Sequence, residues 1–308
     1  MAKAIILTED FAGMKSQAFG LAERSGYEKE LCSLTPKKPW SLISAPYWPF
    51  PLKGVEPFQI EDTPLIISVG SVGGVVNAAI RKPGRMAIHI QNPRISPDKF
   101  DLVIVNPHDQ LTGKNVLVSR TALHHISPQL LSENKEKWQP FFQSYVKPLV
   151  AILIGGNNGR FTLGKIEAQQ IAVQLAHLIK TENVTIALTP SRRTDPEAIE
   201  VFKQVLTPLG SYVWDGAGDN PYLGLLACAD FILVTTDSVS MISEAAATNV
   251  PVMILPLPGK SKRISLFIDS MQKENRVRWF KGQLEDWLTT PLDDTEEIVL
   301  QVKKRLSL

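Results

Sequence analysis

The sequence predicts an α/β protein made of two lobes, each built on a parallel sheet that helices cover on both faces. Three observations predict it. Short apolar runs alternate with longer helical patterns along the chain, and strands that are continuously apolar belong to sheets buried on both sides. A strand, Gly-turn, helix pattern restarts at Pro148-Leu-Val-Ala-Ile-Leu-Ile-Gly-Gly156. The 308 residues suit two domains at roughly 150 residues apiece.

In chain order, strands are expected at residues 4–8, 65–69, 86–90 and 102–105, then at 151–154, 185–188, 231–235 and 252–255. Helical patterns fall at 14–24, 163–180, 196–206, 222–229 and 240–248, with a polar helix around 129–138. Residues 294–306 read as an amphipathic helix with Ile298, Val299, Val302 and Leu306 on its apolar side. The boundary falls near 141–149, which gives lobes of residues 1–145 and 146–289. Residues 36–57 are rich in Pro, Trp, Tyr and Phe without a period, the mark of a long loop on the first lobe.

Composition narrows the function. Lys+Arg 33 against Asp+Glu 31 leaves a net charge of +2, which argues against a general nucleic-acid binder. Cys32 and Cys228 lie in or beside apolar runs and neither has a C-x-x-C partner, so buried free thiols in a reducing compartment are expected. The opening Met-Ala-Lys leads into an apolar run too short for a signal-peptide core. No apolar stretch reaches the roughly 20 residues that span a bilayer. A cytoplasmic protein is expected, with peripheral contact at the inner face of the membrane left open. No spacing suits a metal, since His124 and His125 are adjacent, and no tightly bound cofactor is expected.

The informative chemistry lies in strand-to-helix turns. Ile152-Leu-Ile-Gly-Gly-Asn-Asn-Gly-Arg-Phe-Thr162 runs from a strand into a Gly-rich turn. There Gly155 and Gly156 allow close backbone approach, and Asn157, Asn158 and Arg160 add donors. The spacing matches neither the P-loop nor the dinucleotide fingerprint, and a purely structural tight turn explains the glycines about as well. In Phe231-Ile-Leu-Val-Thr-Thr-Asp-Ser-Val-Ser-Met-Ile-Ser-Glu-Ala-Ala-Ala-Thr248, Thr236, Asp237, Ser238, Ser240 and Met241 crowd a helix start, with Glu244 one turn further on. Hydroxyls and helix-start N–H groups suit a diphosphate, and an acidic residue suits ribose hydroxyls. Helix capping by Asp237 or Ser238 accounts for one of these residues but leaves Glu244 unexplained. Between these segments, Ser191, Arg192 and Arg193 follow another strand. The two arginines either neutralise phosphate or form a solvated pair, with Asp195 capping the next helix. In the first lobe, Glu9 or Asp10 after the first strand, and His108 in Asn106-Pro-His-Asp109, are candidate acid/base residues. Residues of these types are more often a helix cap, for the acids, or a structural turn residue, for the histidine.

Together these segments resemble the mitochondrial-fission "elongated mitochondria" family, named for its plant members and widespread in Gram-negative bacteria. The matching segments are Gly13-Met-Lys-Ser-Gln-Ala-Phe-Gly-Leu-Ala22, Phe100-Asp-Leu-Val-Ile-Val-Asn-Pro-His-Asp109, Leu153-Ile-Gly-Gly-Asn157, Asp219-Asn-Pro-Tyr222 and Thr236-Asp-Ser-Val-Ser-Met-Ile-Ser-Glu-Ala245. The resemblance implies a GT-B-like fold, with two Rossmann-like lobes whose parallel sheets face a central cleft and a final helix, 290–308, that joins the first lobe. It implies a glycosyltransferase acting on a nucleotide-diphosphate sugar, in the setting of cell-envelope glycan synthesis with a lipid-linked or glycan acceptor. A nucleoside-diphosphate-sugar epimerase and a non-catalytic adaptor with a vestigial site are the alternatives. By similarity to the peptidoglycan N-acetylglucosaminyltransferase, Glu244 would hold ribose, and residues 237–241 with 155–157 would hold the phosphates.

Overall fold

The structure, a computed structural model, describes residues 2–306 and divides into two compact units: Met1–His125 with Asp293–Leu308, and Ile126–Leu292. The first holds β1 (Lys3–Thr8), α1 (Ala12–Arg24), β2 (Glu28–Ser33), β3 (Leu65–Val69), α2 (Gly70–Ala79), β4 (Met86–Ile90), β5 (Leu102–Val105) and β6 (Val116–Val118). The second holds α3 (Pro128–Phe142), β7 (Leu149–Ile154), α4 (Lys165–Glu182), β8 (Thr185–Pro190), α5 (Pro196–Leu206) and β9 (Tyr212–Val213). It continues with α6 (Tyr222–Cys228), β10 (Phe231–Thr235), α7 (Val239–Ala246), β11 (Val252–Leu255), α8 (Lys262–Lys273) and β12 (Val277–Trp279). The last helix, α9 (Thr295–Leu306), belongs to the first unit.

Each unit has a six-stranded sheet whose pairings are all parallel, in the orders β2-β1-β3-β4-β5-β6 and β12-β11-β10-β7-β8-β9. In both orders the chain starts near the middle, builds to one side, then returns to build on the other. The reversal falls between β1 and β3 in the first sheet and between β7 and β10 in the second. Open α/β sheets bind ligands at such switch points, outside the carboxyl ends of the strands.

The central strands are buried along their whole length; β7 (Leu-Val-Ala-Ile-Leu-Ile) has no exposed residue. The helices cover them with one stripe each. In α4, Ala168, Ile171, Ala172, Leu175 and Leu178 are buried at three- and four-residue intervals, the spacing of a single apolar face. Glu167 accepts the Gly164 N–H at 2.9 Å at its start, and Asn183 ends it in the left-handed region at φ 51°. Edge strand β2 was not expected from the sequence. Its segment, Glu-Lys-Glu-Leu-Cys-Ser, pairs with β1 from Glu28 to Ser33 but keeps its charges outward, as exposed edges do to avoid further pairing. The amphipathic α8 was also unread. Cys32 and Cys228 are free but half-buried rather than buried, and burial pushes both thiols upward.

The unit boundary lies at residue 125, earlier than the expected 145. The reason is α3, whose Trp138 and Phe142 are buried in the second unit's core. The chain returns to the first unit through an anchor of opposite charges. Asp294 accepts from the Arg120 backbone N–H at 2.6 Å and from its guanidinium at 2.6 Å, and Arg24 pairs with Asp293 at 2.8 Å. Beyond it, α9 inserts Ile298, Val299 and Val302 into the first core. Truncating Ile298 to Ala should therefore cost about 2–5 kcal/mol of stability in urea denaturation. The exposed Leu300→Ala control should stay within about 0.5 kcal/mol of the parent.

Candidate nucleotide site on the second unit

At the second sheet's switch point, β7 ends in Gly155-Gly156 and β10 ends in Thr235-Thr236-Asp237. The side chain of Asp237 is fully buried and turned inward. It accepts the Gly156 N–H at 3.0 Å, the Thr235 hydroxyl at 2.7 Å and the Arg193 guanidinium at 2.8 Å. Thr235 Oγ1 in turn accepts the Gly155 N–H at 2.8 Å. Three strand ends are thereby tied through one carboxylate. Any Cβ on Gly155 would collide with that carboxylate, and one on Gly156 would collide with the Arg193 backbone. The two glycines are thus needed for internal closeness, and their N–H groups are spent inside the protein.

This changes the roles of several expected ligand contacts. Asp237, Gly155 and Gly156 form the frame of the site, because a buried carboxylate and satisfied N–H groups have nothing left to offer a diphosphate. Arg193 is neutralised by Asp237. Ser191 closes its own turn, accepting the Arg193 N–H at 3.2 Å while Thr194 Oγ1 accepts the Ser191 N–H at 2.9 Å. Ser238 is the N-cap of α7, accepting the Met241 N–H at 3.3 Å. Asp195 caps α5 through Glu197 N–H at 2.8 Å.

What remains on the same edge is polar and reachable. Asn157, Arg160 and Arg192 are exposed. Asn157 uses its carbonyl oxygen on the Leu163 N–H, and Arg160 donates to Ser261 Oγ at 3.1 Å. With Ser238 capping Met241, Val239 and Ser240 form the start of α7, on a half-buried stretch that includes Met241. The β11–α8 loop, unread in the sequence, clamps the Gly-rich turn. Phe161 bridges to Gly259, Lys260 N–H donates to Arg160 O at 3.2 Å, and Thr162 N–H donates to Pro258 O at 2.9 Å.

Glu244 lies one turn inside α7 and is buried. The Tyr222 hydroxyl, at the start of α6, donates to its Oε2. Burial first, then the Glu244 charge and this hydrogen bond, hold the phenol far above its ordinary range, so Tyr222 stays a neutral donor. Sequence reasoning had Tyr222 in a matching segment but gave it no role; its partner lies 22 residues away. The other end of α7 is held by Arg276, buried, which donates to Ala246 O at 2.8 Å and Thr248 O at 2.8 Å. Burial lowers its guanidinium to about 10, so it remains a cation at the helix end where a positive charge is favoured.

In the first unit, the two expected carboxylates differ. Asp10 is exposed and paired with Lys15. Glu9 is half-buried, and burial raises its carboxyl above the ordinary range. His108 sits in a 3-10 turn whose frame is structural: Asp109 accepts the Asn106 N–H at 3.2 Å, and Asn106 donates to Ser119 O and Thr121 O, both at 2.8 Å. Among the described residues, no three His, Cys, Asp or Glu side chains gather as a metal site, and no helix is long and apolar enough to cross a membrane.

Two units with six-stranded parallel sheets and covering helices match the GT-B class of fold, shared by glycosyltransferases and sugar-nucleotide epimerases. The chain is similar in fold to the S. aureus MnaA–UDP co-structure (TM-score 0.58, 12% identity, 99% of this chain and 97% of that one). It is similar also to UDP-GlcNAc 2-epimerase from Neisseria meningitidis bound to UDP-GlcNAc (0.57, 11%, 98% and 100%). Medicago truncatula UGT71G1 complexed with UDP-glucose aligns at 0.51, with 13% identity over 98% of this chain and 89% of that one. The chain belongs to the mitochondrial fission ELM1 family, whose model matches residues 12–306. It is 30% identical to the mitochondrial fission protein ELM1 of Arabidopsis thaliana over 278 residues, which is 80% of this chain and 65% of that protein. The chain thus spans just under two thirds of that relative's length.

Replacing Asp237 by Ala would leave the Arg193 charge and the Gly156 N–H without their partner. A loss of about 3–5 kcal/mol is expected in equilibrium denaturation. Gly155→Ala should also destabilise, and Asp237→Ala should relieve part of that penalty in the double variant because the collision is gone.

Proposed function

We propose that the second unit binds a nucleoside-diphosphate sugar and that the protein is a glycosyltransferase. The observation that carries this reading is Glu244. A buried carboxylate one turn inside a helix, oriented by a neutral phenol at a strand switch point, is costly to keep and is chemically suited to accept two vicinal ribose hydroxyls. Beside it, the α7 start, the Asn157 amide, Arg160 and Arg192 are a donor set suited to a diphosphate. These groups would stabilise the negative charge that develops on the departing nucleotide. The fold likeness to proteins solved with UDP, UDP-GlcNAc and UDP-glucose supports the ligand class.

The first unit would take the acceptor, and Glu9 suits the base better than Asp10. Its carboxylate would remove the acceptor hydroxyl proton. The oxygen would then bond to the anomeric carbon as the bond from that carbon to the diphosphate breaks, releasing the nucleoside diphosphate. A base works best when its pKa lies near the working pH, and burial moves Glu9 in that direction whereas Asp10 is tied to Lys15 in solvent. A sugar-nucleotide epimerase is the second reading, favoured by the fold likeness to a UDP-GlcNAc 2-epimerase.

Nucleotide sugars screened by thermal shift, followed by assay of nucleoside-diphosphate release with and without cell-envelope extract, separate the two. Acceptor-dependent release supports the transferase, and sugar isomerisation without release supports the epimerase. If no nucleotide stabilises the protein, the reading fails. Glu244→Gln should weaken the best nucleotide by roughly ten- to a hundred-fold in calorimetry, as expected for loss of a charged hydrogen-bond acceptor.

Because the Glu9 pKa is raised, its base form is lost at a higher pH than for an ordinary carboxylate. The transfer rate should therefore fall on the acid side beginning above the usual carboxylate range. Glu9→Gln should be slow at every pH and lack that limb; an unchanged pH profile in Glu9→Gln would remove Glu9 from the mechanism.

A further inference from the structure

The segment between β2 and β3 is an ordered platform. It contains 3-10 turns at Trp40–Leu42, Ala45–Tyr47 and Pro51–Lys53. Its base is closed by a bridge between Pro36 and Val55 and by the Lys37 N–H donating to Gly54 O at 2.8 Å. Trp48 is the internal post. Its indole N–H donates to Ile43 O at 2.9 Å and Trp40 O at 3.1 Å, and its ring meets Trp40 edge-on at 6.1 Å. With Ala45 and Val55 it packs on Val72, Val75 and Val76 of α2.

That interior leaves a different set of side chains in water. Leu42 is 80% exposed, Tyr47 79%, Phe50 58%, Leu52 48% and Ile43 46%. Single exposed apolar residues are ordinary; a cluster of large ones on a fixed surface marks an interaction site. Between Pro36 and Val55 the charged residues are all lysines, and Glu56 follows at the base of the platform. Lys37, Lys38 and Lys53 lie in the segment, Lys53 Nζ sits 5.1 Å from the Phe50 ring centroid, and no Asp or Glu occurs from Pro36 to Val55.

We propose that this platform docks on an anionic phospholipid surface, with Leu42, Tyr47, Phe50 and Leu52 entering the interface and the lysines meeting headgroup phosphates. Exposed apolar side chains that share one short segment with lysines are complementary to a negatively charged bilayer surface, since apolar burial and charge attraction act together there. A soluble partner of acidic character would satisfy the lysines but would not require five exposed apolar side chains. The platform is built within the first unit alone, and the proposal stands independently of the nucleotide reading.

The test is co-sedimentation of the full chain with vesicles of phosphatidylcholine alone and of phosphatidylcholine mixed with phosphatidylglycerol. Binding to the mixed vesicles, weakened by salt and much weaker on neutral ones, is expected. Lys38→Gln with Lys53→Gln should lower partitioning by on the order of ten-fold or more, each lysine near the surface contributing about five-fold. Leu42→Glu with Phe50→Glu should abolish it while leaving the thermal midpoint and nucleotide binding unchanged, since both side chains are exposed. No sedimentation with the mixed vesicles, equal binding to neutral ones, or retained binding in Leu42→Glu/Phe50→Glu would overturn the proposal.

Discussion

A parallel sheet that is apolar on both faces has one place for polar chemistry, the edge where its strands end. Both sheets of this protein are close to that kind, the first also holding a closed hydrogen-bonded group of Ser68, His89 and Asn77 against its strands. Their central strands carry no exposed side chains, and helices pack against them, so the polar groups with a possible role sit in turns after strands or in the first turns of the helices that follow. The cost is that several chain segments must converge on one edge without leaving buried donors unpaired. Asp237 meets that cost in the second unit. One carboxylate satisfies a backbone N–H from β7's end, a hydroxyl from β10's end and a guanidinium from β8's end. The Gly-Gly turn has its shape because a side chain at Gly155 would meet that carboxylate and one at Gly156 would meet the Arg193 backbone.

Once the frame is assigned, the surplus polar groups stand out. Helix α7 is capped at its start by Ser238 and held at its end by Arg276, so its position is fixed at both termini. Glu244 is not needed for either task. It is buried between a helix and a tyrosine that keeps its own proton, an arrangement that fixes an acceptor in space rather than stabilising the fold cheaply. The same reasoning in the first unit sets Glu9, half-buried and raised, apart from Asp10, whose charge is answered by Lys15 in solvent.

The segment at residues 36–57 shows the converse. Trp48 turns what reads as a structureless aromatic loop into a platform by using its one N–H on two carbonyls and its ring on α2. The neighbouring aromatics and leucines are excluded from that interior simply because Trp48, Ala45 and Val55 already fill it. Packing therefore explains Trp48 and leaves Tyr47 and Phe50 unexplained by the fold.

The buried strands, the stripes of α4, α5 and α9, and the Gly-Gly and Ser-Glu turns were legible in the sequence because apolar period and turn chemistry are local properties. Edge strand β2 was not, since its charged residues obey the needs of an exposed edge. Nor could local pattern assign α3 to the second unit, which follows from where Trp138 and Phe142 find a core. Only the tertiary structure decided the strand orders, and with them which turns share a switch point. It also decided which polar residues are spent: Gly156 meets Asp237 across 81 positions, Arg193 across 44, and Tyr222 meets Glu244 across 22. Residue types specify what hydrogen bonds a group can make, while the long-range fold specifies which of them are already made.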